Sequence, residues 1–351
     1  MGLAHGGNIT AASRHFGIPE PQWLDLSTGI NPFAYPVPQS IPAQVWQRLP
    51  YREEQTISAA ADYFGCRTEQ LLPIPGSQFA VSLLPTLFPG SRVAIPEPGY
   101  REHAAAWQRE GHRLHPYHPG QADRLELQIK QGKLDRVLVI NPNNPSCDLI
   151  SKDQLSYWRR LLEYQGGTLI IDEAFIDTDP QQSLADECGT PGLILLRSFG
   201  KFFGLAGLRL GFILGSGDRI NAIRQLRGPW TVNGPALWVA EQALGDRRWQ
   251  EQTRSKLKQS AEQLFRYLEQ RFAGQPVRLS RTDFFVSMVL AADRAQALYH
   301  HFGSHGILVR QLPLDRHNAA IRIGLVPGQQ AWNRFTQAIE LFQSAAPQGA
   351  E

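Results

Sequence analysis

Cysteine is scarce in this chain: Cys66, Cys147 and Cys188 are the only three, and they form neither a CxxC pair nor a disulfide ladder. An odd, scattered set argues against an oxidised scaffold and against a structural zinc site, so no metal is expected. Long apolar runs are missing too, and nothing approaches the roughly 20 residues of a membrane span. Met1 opens onto polar, glycine-rich sequence and not onto a basic-then-apolar leader, so the expectation is a soluble protein of the cytosol with no membrane partner. Charge of one sign is also lacking. The formal net charge is +3, and basic residues are dispersed among acidic ones instead of gathered in a stripe. That speaks against nucleic acid and leaves small anions as ligands of local arginines.

What the chain does have is 42% hydrophobic residues over 351 positions, enough for a substantial core in one large domain and a smaller one. Ile57, Ala60 and Ala61 recur at helical spacing before Gly65, and a second helix candidate runs from Gln78 behind Pro75-Gly76. Apolar runs at Arg92 to Ile95, Arg136 to Ile140, Thr168 to Ile171, Leu193 to Leu196 and Leu208 to Leu214 read as buried strands. Helical stretches such as Ser151 to Tyr164 separate several of them. A mostly parallel α/β sheet is the economical arrangement. Farther on, Asn221 to Gln263 reads mainly as helix, Phe284 to Leu290, Gly306 to Arg310 and Ala320 to Leu325 as strands, and Ala331 to Phe342 as a closing helix. The expected division is an N-terminal segment 1–45 that joins the small domain and the substrate entrance, a large domain 46–245 and a small domain 246–351.

Four polar clusters follow apolar runs directly: Pro96-Glu-Pro-Gly-Tyr100, Asn141-Pro-Asn-Asn-Pro145, Asp172-Glu-Ala-Phe175 and Ser198-Phe-Gly-Lys201. At the mouths of neighbouring strands they converge on one cleft. Lys201, among aromatics and glycines, is set for a lowered pKa and imine formation. Ser198 and Arg209 offer a hydroxyl and a guanidinium to an anion beside it, and Gly76-Ser77-Gln78 adds the amides of a helix start. Asp172 closes an apolar run, where a carboxylate needs a positive partner or caps a turn. Tyr100 could lie on a planar ring and Asn144 could donate its amide hydrogens, although either taken alone is more often an ordinary loop residue.

Together these segments resemble the fold-type I aminotransferases, in the branch containing histidinol-phosphate aminotransferase and threonine-phosphate decarboxylase. Ser198-Phe-Gly-Lys201 with Gly207-Leu-Arg209-Leu-Gly211 is the most specific part of the likeness. The resemblance implies a fold-type I α/β enzyme with pyridoxal 5'-phosphate bound covalently to Lys201. Ser198, Arg209 and the amides of Ser77 and Gln78 would hold its phosphate, Asp172 its ring nitrogen, Asn144 its ring hydroxyl, and Tyr100 its face. Arg322, in Ala-Ile-Arg-Ile-Gly324, resembles the arginine that clamps the substrate carboxylate. Tyr51, in Leu-Pro-Tyr-Arg, resembles a tyrosine that reaches the cofactor of a neighbouring subunit, which implies a homodimer with shared active sites.

Two departures stand out. Phe175 replaces a tyrosine that bonds the cofactor's phenolic oxygen, and Asn144-Pro-Ser-Cys147 puts cysteine where the family has glycine, suggesting a locally different turn. The opening His5-Gly-Gly-Asn8, the segment Leu26-Ser-Thr-Gly-Ile-Asn31-Pro32, and Phe175 within Asp172-Glu-Ala-Phe-Ile-Asp177 are more similar to the decarboxylases. The resemblance then implies L-threonine O-3-phosphate as substrate, in the aminopropanol arm of cobalamin biosynthesis, with His5, Asn31 and Arg310 near the substrate phosphate or its entrance. The alternatives are an aminotransferase for histidinol phosphate or a related compound, and a noncatalytic regulatory domain.

Overall fold

A computed structural model describes residues 5–345. The chain divides into two compact units, one made of the residues up to Phe33 together with those from Lys256 onward, the other of Ala34–Ser255. The second transition falls inside a continuous helix, Arg247–Arg271, and the first twelve residues before the expected 45/46 boundary. The first point lies in a stretch without helix or strand, residues 26–42, and no linker marks the second. In the smaller unit, helix Ile9–Phe16 starts at Asn8, whose side chain accepts from the Ala11 amide, and stops at left-handed Gly17. Strand β1 (Leu24–Asp25) follows.

The larger unit holds a seven-stranded sheet of β2 (Leu71–Ile74), β3 (Arg92–Pro96), β4 (Arg113–Tyr117), β5 (Arg136–Ile140), β6 (Thr168–Asp172), β7 (Leu193–Ser198) and β8 (Gly211–Gly215). Their order is β2-β8-β7-β6-β5-β3-β4. From β4 to β7 every neighbouring pair is parallel, and β8 alone runs against both of its neighbours. Parallel strands need crossovers, and helices Arg101–Arg109, Ala122–Lys130 and Lys152–Tyr164 supply them. The inner strands are covered on both faces, which is why β6 is buried along its whole length and reads as an unbroken apolar run.

The two edge strands, β2 and β4, escaped the periodicity because each contains a proline, Pro73 and Pro116. Proline removes a ladder donor and is tolerated at an edge. The strand expected from Leu208 starts only at Gly211, since Ala206–Leu208 is a tight 3-10 turn ending at left-handed Arg209.

In the smaller unit, β9 (Arg278–Arg281), β10 (Phe285–Ala291), β11 (Ile307–Leu308), β12 (Arg310–Pro313) and β13 (Asn318–Gly324) complete the strands. The expected strand Gly306 to Arg310 is thus two: β11 pairs with β1, while β12 joins an antiparallel sheet of order β12-β13-β10-β9. Helices Ala292–Ser304 and Gly328–Ala345 belong to the same unit.

Candidate active site

The C-terminal ends of β3, β5, β6 and β7 lie along one edge of the large sheet, and the four polar clusters follow those ends. Register defines one corner closely. Gly211 of β8 pairs with Ile74 of β2 on one side and Ser198 of β7 on the other, so the turn after Ile74 stands beside Ser198. A Cβ on Gly211 would sit 2.7 Å from the Ser77 amide nitrogen, a distance only glycine permits. Gly76 has φ 79° and ψ 153°, and a Cβ there would come within 2.7 Å of an Arg209 Nη atom. Its bare Cα therefore lets the Arg209 guanidinium lie against the start of helix Ser77–Leu83. Arg209 is itself left-handed, φ 54°, and its Nη1 donates to the Ala206 carbonyl at 3.1 Å.

Asp172, the last residue of β6, is buried against His103 of helix Arg101–Arg109, with Nε2 and Oδ2 2.9 Å apart. A carboxylate only accepts, so the histidine proton on Nε2 points at it. The other oxygen accepts from the Ala174 amide at 3.1 Å. Tyr100, three residues before His103, places its ring edge-on to the imidazole and donates its hydroxyl to Gln78 Oε1 at 2.9 Å. Half-buried Lys201 lies in the short helical turn after β7, its amine 5.5 Å from the centre of the buried Phe175 ring.

Asn144 is half-buried in the loop after β5. Its neighbours hold that loop. Asn141 exchanges hydrogen bonds with both backbone groups of Ile150, and Asn143 donates to Pro98 O at 2.9 Å, fastening the loop after β5 to the loop after β3. Cys147 adopts φ 69°, so the turn keeps the left-handed backbone that glycine favours instead of the different turn its side chain suggested. Tyr51 is outward, 74% exposed, its ring edge-on to Trp230 at 5.9 Å.

In the smaller unit, Arg310 of β12 and Arg322 of β13 are direct cross-strand partners and share one sheet face. Arg322 is buried; its Nη2 donates to Ser27 O at 2.6 Å and its guanidinium lies 5.1 Å from the centre of the Phe285 ring. Asn31 is buried, with Oδ1 accepting from the Phe33 amide at 2.7 Å and Nδ2 donating to the Phe33 carbonyl at 3.2 Å. With Gly7, Asp25 and Thr28 it lines a cavity of about 330 Å³. His5, at the start of the described residues, is exposed.

Residues 43–338 match the family model described as aminotransferase class I and II. The chain belongs to that family. It is 42% identical over 344 residues to a threonine-phosphate decarboxylase of Pseudomonas aeruginosa, covering 98% of this chain and 99% of that one. A histidinol-phosphate aminotransferase of Sinorhizobium fredii is 27% identical, over 92% of this chain and 89% of its own. The crystal structure of histidinol-phosphate aminotransferase from Sinorhizobium meliloti in complex with pyridoxal-5'-phosphate superposes with a TM-score of 0.83 at 21% identity, covering 99% of this chain and 96% of that one. That likeness establishes the fold.

The larger unit fits the family's cofactor. Bare Cα atoms at Gly76 and Gly211, first-turn amides and the Arg209 guanidinium make a cradle for a phosphate. A buried carboxylate at Asp172 suits a protonated ring nitrogen.

Sequence reasoning passed over two groups. His103 gave only its spacing from Tyr100, one helical turn, as a signal, and a single histidine on a helix is more often a core residue. Arg197, buried, donates to Glu173 Oε2 at 2.9 Å and to Asp177 Oδ1 at 2.6 Å, and Tyr63 donates to the same Asp177 oxygen at 2.9 Å. Burial opposes the arginine's charge, but Asp177 and Glu173 outweigh it and hold its pKa up; burial raises the Glu173 carboxyl and, with Asp177 beside it, the Tyr63 phenol. This knot joins the residue after Asp172 to the residue before Ser198, locking the ends of β6 and β7 together. Among the described residues, no helix is long and apolar enough to cross a membrane, and no group of three or more potential ligands could hold a metal ion.

Proposed function

We propose that the protein is a pyridoxal phosphate-dependent carboxy-lyase that converts L-threonine O-3-phosphate to (R)-1-amino-2-propanol O-2-phosphate and CO2 in cobalamin biosynthesis. The observation that carries this reading is the 42% identity over 98% of the chain to a threonine-phosphate decarboxylase, against 27% for the histidinol-phosphate aminotransferase.

Bound pyridoxal phosphate supplies an electron sink for the bond that breaks at Cα. Asp172, with His103 against it, would hold a protonated ring nitrogen, Tyr100 would cover the ring face, and Asn144 would donate to the ring oxygen in place of the hydroxyl that Phe175 lacks. The Ser77 and Gln78 amides, Ser198 and Arg209 hold the cofactor phosphate. Lys201 would hold the cofactor through its side-chain amine, and the same amine would supply the proton that Cα takes up in place of the lost carboxylate. Arg322 binds the substrate carboxylate in a planar fork. Arg310, Asn31 and His5 take its phosphate. Two anchors on one small substrate would fix its orientation and so select the carboxylate as the group lost from Cα.

The reading includes a cytoplasmic homodimer in which Tyr51 reaches the partner's cofactor phosphate, without nucleic acid or membrane. Its support is four exposed apolar side chains in the larger unit, Trp46, Leu49, Tyr51 and Trp230, with the Tyr51 and Trp230 rings in edge-on contact at 5.9 Å.

The test is product analysis with cofactor-loaded protein and L-threonine O-3-phosphate. CO2 and aminopropanol phosphate in equal amounts, without any keto acid, are expected. Glutamate formed only when 2-oxoglutarate is present, with no CO2, would make the protein an aminotransferase instead.

A further inference from the structure

We infer that Asp25 and Ser27 are positioning residues that set the plane of the Arg322 guanidinium and tie it to the glycine turn after His5. The inference rests on the reading that Arg322 takes the substrate carboxylate. Ser27 is 1% exposed and is the meeting point of four hydrogen bonds. Its amide and its hydroxyl both donate to Asp25 Oδ1, at 2.8 and 2.6 Å. The hydroxyl, with its proton committed to the carboxylate, accepts from the Gly7 amide at 2.7 Å. Its carbonyl accepts from Arg322 Nη2 at 2.6 Å.

The direction of every bond in this chain follows from the carboxylate, which only accepts. With amide and hydroxyl both pinned, Ser27 has no rotamer or backbone freedom left, and its carbonyl is aimed at one place. The guanidinium inherits that aim, because its Nη2 bonds the carbonyl while its centre lies 5.1 Å from that of the Phe285 ring.

Two glycines show how closely the loop is fitted. A Cβ on Gly6 would stand 2.4 Å from the Ser27 carbonyl oxygen, so the N-terminal segment passes directly over the atom that Arg322 uses. On the other side, Gly324 donates its amide to Leu26 O at 2.7 Å, and a Cβ there would lie 2.6 Å from Thr28 O. The loop around Ser27 is thus fastened to β13 two residues beyond Arg322. Movement of the His5 segment and orientation of the carboxylate clamp are coupled through one serine, which makes this loop a determinant of which substrate anions are read together.

The experiment compares two ligands of the cofactor-loaded enzyme: L-threonine O-3-phosphate, which has a carboxylate, and aminopropanol phosphate, which has none. In Ser27→Ala the KM for the first is expected to rise about tenfold, while the inhibition constant of the second moves less than about twofold, the loss of one hydrogen bond to a charged group acting on one ligand only. Ser27→Thr, which keeps the hydroxyl, restores discrimination, and Asp25→Asn, which keeps an acceptor oxygen, falls between. Ser27→Ala combined with Arg322→Lys is no worse than Arg322→Lys alone. Equal changes for both ligands, or no change, would overturn the positioning role, and Asp25→Asn decides the matter if Ser27→Ala does not fold. The Arg322→Lys variant separates the two levels: if it leaves discrimination intact, the clamp reading itself is wrong; if it abolishes discrimination and Ser27→Ala does not touch it, only the relay is wrong.

Discussion

The two units of this protein gather their polar groups in different ways. In the larger unit the groups hang from loops that leave parallel strands at one sheet edge, each a few residues from a glycine or proline. In the smaller unit Arg310 opens one antiparallel strand and Arg322 sits within its neighbour, brought opposite one another on one face by register alone. The first arrangement is written locally, because a strand, its final residue and the following turn are contiguous. The second is assembled from afar: Ser27 and Arg322 are 295 residues apart in the chain. The first set is therefore legible from local sequence, whereas the second came only through the family resemblance.

If the strand-end group holds the cofactor and the strand-face group the substrate, the two can be broken separately. The largest effect is expected from Lys201→Ala, which removes the visible absorbance of the lysine-bound cofactor and lowers turnover by at least about a thousandfold. Retention of both would defeat the assignment. Arg322→Lys should leave that absorbance unchanged while raising the KM for L-threonine O-3-phosphate about a hundredfold, since a point charge replaces a bidentate fork. Loss of the cofactor in that variant would dissolve the contrast between the units.

Within the larger unit, His103→Ala should cut kcat by about tenfold to a hundredfold with little change in KM, as Asp172 loses a charge-assisted hydrogen bond worth about 1.5–3 kcal/mol. A KM effect without a kcat effect would make His103 a matter of substrate binding. The smallest expected change is a gain. Cys147→Gly relieves a left-handed backbone and should raise unfolding stability by about 0.5–1 kcal/mol, measured by denaturant titration.

The same contrast explains what was legible in advance. The positions of Lys201, Asp172 and Ser198 at strand mouths could be read because each ends or follows an apolar run, and the interior strands could be read because burial on both faces leaves their centres apolar. The edge strands with Pro73 and Pro116 could not, since their sequence is that of a loop. Nor could the contact of His103 with Asp172, which depends on where a helix sets its side chain against the end of a strand. Cys147 misled for a related reason: residue type suggested a changed turn, but the Cys147 amide still bonds Asn143 O at 2.9 Å and the backbone accepts the strain. The boundary between units was illegible because helix Arg247–Arg271 shows nothing but ordinary helical sequence across it.

That uninterrupted helix also bears on heredity. Insertion, permutation and exchange of segments succeed where a chain is exposed and loosely held. At the passage between Ser255 and Lys256 there is no such place, since any cut leaves two helix stumps with severed backbone hydrogen bonds. Trading one unit for another at that passage would therefore cost the backbone hydrogen bonds of the helix.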